Sequence, residues 1–178
     1  KIMLPGALAG MALAWLTAAF FSDDAIRVIV GLVGVAFVAN MWRQRKALAP
    51  KTGRVASGVF WGGVSGFTSF MMQGGGPPFQ VHVLPQRLPK LTLVGTTTIF
   101  FAVINALKIG PYFALGQFTS ANFTTSLALL PVAVAANLAG VWLVRKTPTG
   151  LFYRIAYVLL FIISAALLWQ GARGVMRG

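Results

Sequence analysis

The chain has no cysteine, two acidic residues and one histidine in 178 positions. Each shortage removes a class of chemistry. Without cysteine there is no disulfide framework, no thiolate metal site and no thiol nucleophile. Asp23 and Asp24 are the only acidic side chains, and they are adjacent, so no separated carboxylate pair is available for general acid–base work. His82 by itself cannot build a multi-histidine metal centre. Charged residues make up 10% of the chain and hydrophobic ones 57%, which excludes a soluble domain and points to an integral membrane protein. Neither an enzyme, a metal nor a cofactor is expected.

What charge there is comes almost entirely from lysine and arginine, for a net charge of +13. The basic residues fall in short clusters between apolar runs, the pattern of topology signals rather than of a nucleic-acid-binding face. No nucleic-acid partner is expected. No cleavable signal pattern stands out, so the first apolar run reads as a permanent span.

Met3 to Phe21, about 19 residues, is long enough to cross a hydrocarbon core of about 30 Å. Ser22-Asp23-Asp24 is a polar turn with N-cap chemistry, and Arg27 can pair locally with the acids. Ala25 to Trp42 is a second span. It is followed by a basic linker, residues 43–54, expected to be cytoplasmic. Val55 to Met72 carries Gly58, Gly62 and Gly66 at four-residue spacing, which permits close helix approach. Further spans are expected at about 91–107, 123–143 and 151–170, with an interfacial loop from Lys108 to Asn122.

The organising feature is Gln73-Gly74-Gly75-Gly76-Pro77-Pro78, which interrupts apolar sequence where unpaired backbone is least tolerated. The glycines let the chain turn, and a proline suits the first turn of a new helix. From Pro77 to Leu88 only about 12 residues remain, too few to cross a membrane. A re-entrant hairpin over 55–90 is therefore expected. With that hairpin returning to its own side, eleven basic residues lie on the cytoplasmic face and four outside; a full crossing gives nine against six.

At an offset of 127 residues, Trp15 aligns with Trp142, Leu16 with Leu143, Arg27 with Arg154 and Trp42 with Trp169. The first two spans and the last two thus read as copies of opposite orientation, an inverted-topology repeat. Residues 1–54 are then the last two spans of a truncated first repeat, and 55–178 the second repeat. About 75 residues carrying the partner hairpin are expected before Lys1, by the logic of two equal units.

In many secondary transporters a broken helix of this kind presents backbone N–H groups to an anionic substrate. Candidate substrate contacts are Gln73, Gly74, Gly75, Gly76 and Pro77 at the break, with Thr68 and Ser69 just before it. Thr96 and Thr97 follow Gly95 at the start of the next span. Asn105 and Asn137 are costly against lipid and are expected to face the interior. Lys108 is a candidate for attracting anions, and His82 for coupling protons. Structural roles stand beside each: helix contact for the small polar residues, back-bonding for the threonines, snorkelling for Lys108.

Together Gly74-Gly75-Gly76-Pro77-Pro78, Leu84-Pro85-Gln86-Arg87-Leu88-Pro89-Lys90 and Val94-Gly95-Thr96-Thr97 resemble the sulfite exporter TauE/SafE family of bacterial inner-membrane anion transporters. Phe100-Phe101, Asn105, Lys108, Pro111-Tyr112 and Leu115-Gly116-Gln117 extend the resemblance. It implies export of sulfite or small organosulfonates by a multi-pass protein. The expected partners are a small anion, membrane lipid and a coupling proton or other ion, with a homo-oligomer as a further arrangement. A membrane scaffold subunit and a channel-like anion conduit remain the alternatives at this point.

Overall fold

A computed structural model describes residues 2–17, 20, 22–43, 53–114, 116 and 119–176. Among these there is no strand. The helices are α1 (Met3–Thr17), α2 (Asp23–Arg43), α3 (Val55–Met72), α4 (Gly76–Val83), α5 (Lys90–Ala114), α6 (Ser120–Lys146) and α7 (Thr149–Val175), with a 3-10 turn at Leu84–Gln86 between α4 and α5. Four of them, α2, α5, α6 and α7, contain stretches long and apolar enough to cross a membrane. Ile29, Leu32, Leu130, Trp142 and Ile162 stand exposed on their outer faces, a surface that lipid covers and water does not. The protein is an all-α, polytopic membrane protein. The chain divides into two compact units, Lys1–Leu88 with Tyr153–Gly178, and Pro89–Phe152.

In the first unit, α1 lies along α3 through small residues. A methyl group on Gly6 would fall on the carbonyl oxygen of Val59, on Gly10 on that of Gly63, on Gly62 on that of Met3, and on Gly66 on that of Ala7. The glycine hydrogens therefore face carbonyl oxygens of the other helix, contacts worth about 0.5–1 kcal/mol each. This is the close approach that the four-residue glycine spacing predicts. Across the unit α2 runs antiparallel to α7: Asp24 meets Gly171 and Gly174 at one end, and Phe37 meets Tyr157 at the other, with ring centroids 6.3 Å apart. Trp42 packs on Phe161 at 5.2 Å. At the start of α2 Arg27 pairs with Asp24 at 2.6 Å.

In the second unit α5 and α6 are antiparallel. Lys90 Nζ donates to the carbonyls of Arg145 at 2.9 Å and Thr147 at 2.6 Å, placing the start of α5 at the end of α6. A lysine there satisfies carbonyls that have no intrahelical donor and complements the negative end of the helix dipole.

For the first span, residues 18, 19 and 21, where its end was expected, lie outside the described residues, and Ser22 Oγ accepts the Ala25 N–H at 3.2 Å at the start of α2. Two boundaries differ from expectation. Helix α5 continues through Gly110-Pro111 to Ala114. Pro111 forfeits one hydrogen bond, whereas a loop beginning at Lys108 would leave several backbone groups unpaired in an apolar setting. Helix α6 begins at Ser120, three residues before the expected Phe123, because Thr119 Oγ1 accepts the Asn122 N–H at 3.2 Å. Most of the basic linker, residues 44–52, lies outside the described residues, as do Leu115 and Gln117.

Candidate functional site

Helix α3 stops where Gln73 turns into the left-handed region, at φ 56° and ψ 18°. The N–H groups of Gln73 and Gly74 both donate to the carbonyl of Thr68, which closes the last turn of α3. The chain then doubles back, and Ser65 Oγ, from the middle of α3, donates to the carbonyl of Gly75 at 2.7 Å. Ser65 is fully buried. Gly75 caps α4, and Pro77 and Pro78 occupy its first turn. The glycine–proline break is thus an ordered turn that the buried Ser65 side chain and the Thr68 carbonyl pin to α3.

The end of α4 comes back beside the beginning of α3. His82 Nδ1 lies 3.2 Å from Ser57 Oγ, and a Cβ on Gly53 would stand 3.1 Å from the Gln86 side chain. The two ends of the segment therefore lie side by side. Pro85 confines α4 to eight residues, and the hydroxyl of Tyr153 donates to the carbonyl of Leu88 at 2.5 Å where the hairpin ends. The turn reaches the middle of the unit. Pro77 Cβ lies 3.8 Å from the point where a Gly34 Cβ would stand, and Gly34 is close to the centre of α2.

An inventory of donors at the turn decides what it can bind. Pro77 and Pro78 have no N–H. Gly74 donates to Thr68 and Phe79 to Gly75, at 3.1 and 3.3 Å. Among the described residues this leaves the N–H groups of Gly75 and Gly76 without an acceptor. Gly75 is buried and Gly76 half-buried, and a Cβ placed on Gly76 meets nothing within 4 Å. Two donors without an acceptor among the described residues, at the positive end of a helix with open space at Gly76, suit a weakly held anion.

The other predicted residues divide by unit. In the first, Ser69 is buried and Gln73 is exposed. Thr68 spends its hydroxyl on its own helix, donating to Val64 at 2.8 Å, while its carbonyl holds the turn. His82 is buried at the far end of α4. In the second unit, Thr97 back-bonds to Leu93 at 2.8 Å and Thr96 is exposed. Asn105 and Asn137, expected to face the interior, are both exposed. The reason is register: the buried face of α5 runs through Leu93, Phe100, Ile104 and Lys108, and Asn105 points away from it, while no described residue of α6 is buried. Lys108 is buried at 2% exposure rather than standing in an open vestibule.

Ser164 was not among the sequence candidates. It is fully buried in the middle of α7, its Oγ has no hydrogen-bond partner among the described residues, and it occupies the space that a Gly34 side chain would fill. The available signal was a lone hydroxyl in the apolar run Leu159 to Leu168. A cavity of about 640 Å³ also opens between α1, α2 and α3, reaching Thr68 and Pro78. Its walls are otherwise nearly all apolar, from Leu13, Val30, Val33 and Phe60 among others, and they offer an oxyanion nothing to replace its hydration. Among the described residues no three His, Asp or Glu side chains gather where a metal could bind.

Compared with known protein families, residues 1–167 match the family described as Sulfite exporter TauE/SafE. No curated protein and no solved structure matches the chain.

Proposed function

We propose that this chain, which belongs to the sulfite exporter TauE/SafE family of anion-exporting membrane transporters, is a secondary transporter that carries sulfite or a small organosulfonate by alternating access across a bacterial inner membrane. The observation that carries this reading is the hairpin turn. Among the described residues its Gly75 and Gly76 N–H groups have no acceptor, at a helix N-terminus where Gly76 adjoins open space, at the height of the centre of α2. Ser65 and Thr68 act as its frame, fixing the Gly75 carbonyl and the start of the turn. Neutral donors fit a carrier, because a substrate held by a fixed cation would be slow to leave. The antiparallel packing of α2 on α7, paired at the 127-residue offset, supports an inverted repeat in which residues 1–54 and 55–178 belong to successive units. The return of α4 beside the start of α3 supports a cytoplasmic position for both ends of the hairpin and for the linker 43–54.

Gly76→Leu tests the site. Gly76 has no positive φ and nothing stands within 4 Å of where its Cβ would go, so a larger side chain is accommodated there and adds bulk at the first residue of α4, beside the proposed anion. In detergent-purified protein, sodium sulfite is expected to raise the unfolding temperature of the wild type and to leave Gly76→Leu unaffected. Equal stabilisation of the two proteins refutes the assignment.

A further inference from the structure

We propose that Ser164 supplies a third donor to the oxyanion held at the hairpin turn, so that α7 as well as α4 grips the substrate. The inference rests on the proposed site but concerns a residue outside the hairpin. Several hydroxyl side chains in the helices of this protein share a habit, whereas Ser57 and Ser65 bond His82 and the Gly75 carbonyl instead. Thr17, Thr68, Thr97, Thr124, Ser126 and Thr147 each donate to the carbonyl four residues back, at 2.6 to 2.9 Å. This is the default for a hydroxyl where water is scarce. Ser164 departs from it. The carbonyl of Leu160 stands four residues back, yet Ser164 Oγ donates neither to it nor to anything else among the described residues, although the residue has 0% exposure.

The hydroxyl is turned instead toward α2, where Gly34 leaves the space it occupies. Any side chain at Gly34 would collide with it, and Pro77 Cβ lies 3.8 Å from the same point. Ser164 Oγ therefore lies beside Pro77 in the first turn of α4, which follows the Gly75 and Gly76 N–H groups that have no acceptor among the described residues. A buried, unpartnered hydroxyl is costly, and its natural complement is a ligand. The neighbouring groups fix the sign of that ligand. N–H groups at a helix N-terminus only donate and carry partial positive charge, so an occupant shared with them is an acceptor and preferably an anion. The class that fits is a compact oxyanion with several acceptor oxygens, one for each N–H and one for the hydroxyl.

Ser164→Ala removes the hydroxyl and keeps the small volume that lets α2 and α7 approach. The readout is the sulfite concentration that half-saturates exchange of labelled sulfite in proteoliposomes of the full chain, with Gly76→Leu assayed in parallel. A hydrogen bond to a charged group changes affinity about tenfold or more, so Ser164→Ala is expected to raise half-saturation by about that factor, with the unfolding temperature of the sulfite-free protein unchanged. Ser164→Cys, a weaker donor, is expected to fall between the two. If Gly76→Leu abolishes exchange while Ser164→Ala stays within twofold of the wild type, the hairpin site stands and the role of Ser164 falls. If neither variant changes sulfite affinity, or the wild type exchanges no sulfite, both fall. A loss of unfolding temperature in Ser164→Ala with unchanged half-saturation makes Ser164 a packing residue and overturns the inference.

Discussion

Replacing Ser65 by alanine separates the frame of the turn from its binding groups. Ser65 is fully buried and donates to the Gly75 carbonyl at 2.7 Å, a side-chain bond joining α3 to the turn. Its loss does not orphan that carbonyl, which still accepts the Phe79 N–H at 3.3 Å. The cost is therefore that of one net hydrogen bond, about 1 kcal/mol, rather than the larger penalty of an unsatisfied buried oxygen. If all of it is lost from the folded-back turn, the competent conformation becomes about fivefold less favoured relative to its alternatives. Half-saturation by sulfite should then rise by up to about fivefold, with maximal exchange nearly unchanged and the unfolding temperature lowered by a few degrees, as expected of about 1 kcal/mol in a chain of this size. Saturation curves in proteoliposomes and thermal unfolding in detergent supply the two readings. Thr68→Val is the matched control, since that hydroxyl bonds only within α3. If Ser65→Ala and Thr68→Val shift half-saturation equally, or if neither does, the Gly75 carbonyl is not what orders the turn.

Two further predictions concern packing and topology. Gly66→Ala places a methyl group on the carbonyl of Ala7 with backbone on both sides, so it is expected to destabilise the protein by about 1–3 kcal/mol. Gly95→Ala, in open space inside α5, is expected to be neutral or stabilising by about 0.5–1 kcal/mol. Thermal unfolding of the pair checks both, and equal behaviour would contradict the close α1–α3 approach. Because these 178 residues contain no cysteine, single-cysteine variants need no prior substitution within them. Arg54→Cys and Arg87→Cys are expected to react with an impermeant thiol reagent from the same side of the membrane, and Asp23→Cys from the other. Labelling of Arg54→Cys and Arg87→Cys from opposite sides would rule out a returning hairpin.

The membrane class, the helical content and the special character of residues 73–78 were legible in the sequence because they rest on composition and on local backbone chemistry. So was a close helix approach to Val55–Met72, read from its glycines at four-residue spacing, though not that α1 is the partner. What escaped depends on comparing alternatives that sequence does not price. Pro111 looked like a loop, but losing one hydrogen bond inside a helix costs less than opening several in an apolar medium. Thr119 and Ser120 looked like loop residues and are a cap. The exposure of Asn105 follows from a rotation of α5 that its nearly uniform hydrophobicity leaves open. At the turn itself, the glycines were visible but the division of labour among their N–H groups was not, because it depends on Gly74 finding the Thr68 carbonyl. Ser164 stayed hidden because a serine that departs from back-bonding has the same letter as one that does not.

Counterflow of labelled sulfite tests the central claim most directly. Proteoliposomes of the full chain are loaded with unlabelled sulfite and exposed to a trace of label outside, with taurine, sulfoacetate, thiosulfate and sulfate as competitors. A carrier with an anion site at the hairpin turn gives transient, saturable accumulation of label that competing oxyanions suppress in a defined order. Flux that rises linearly with concentration and shows no counterflow, or no flux of any anion through folded protein, would contradict it.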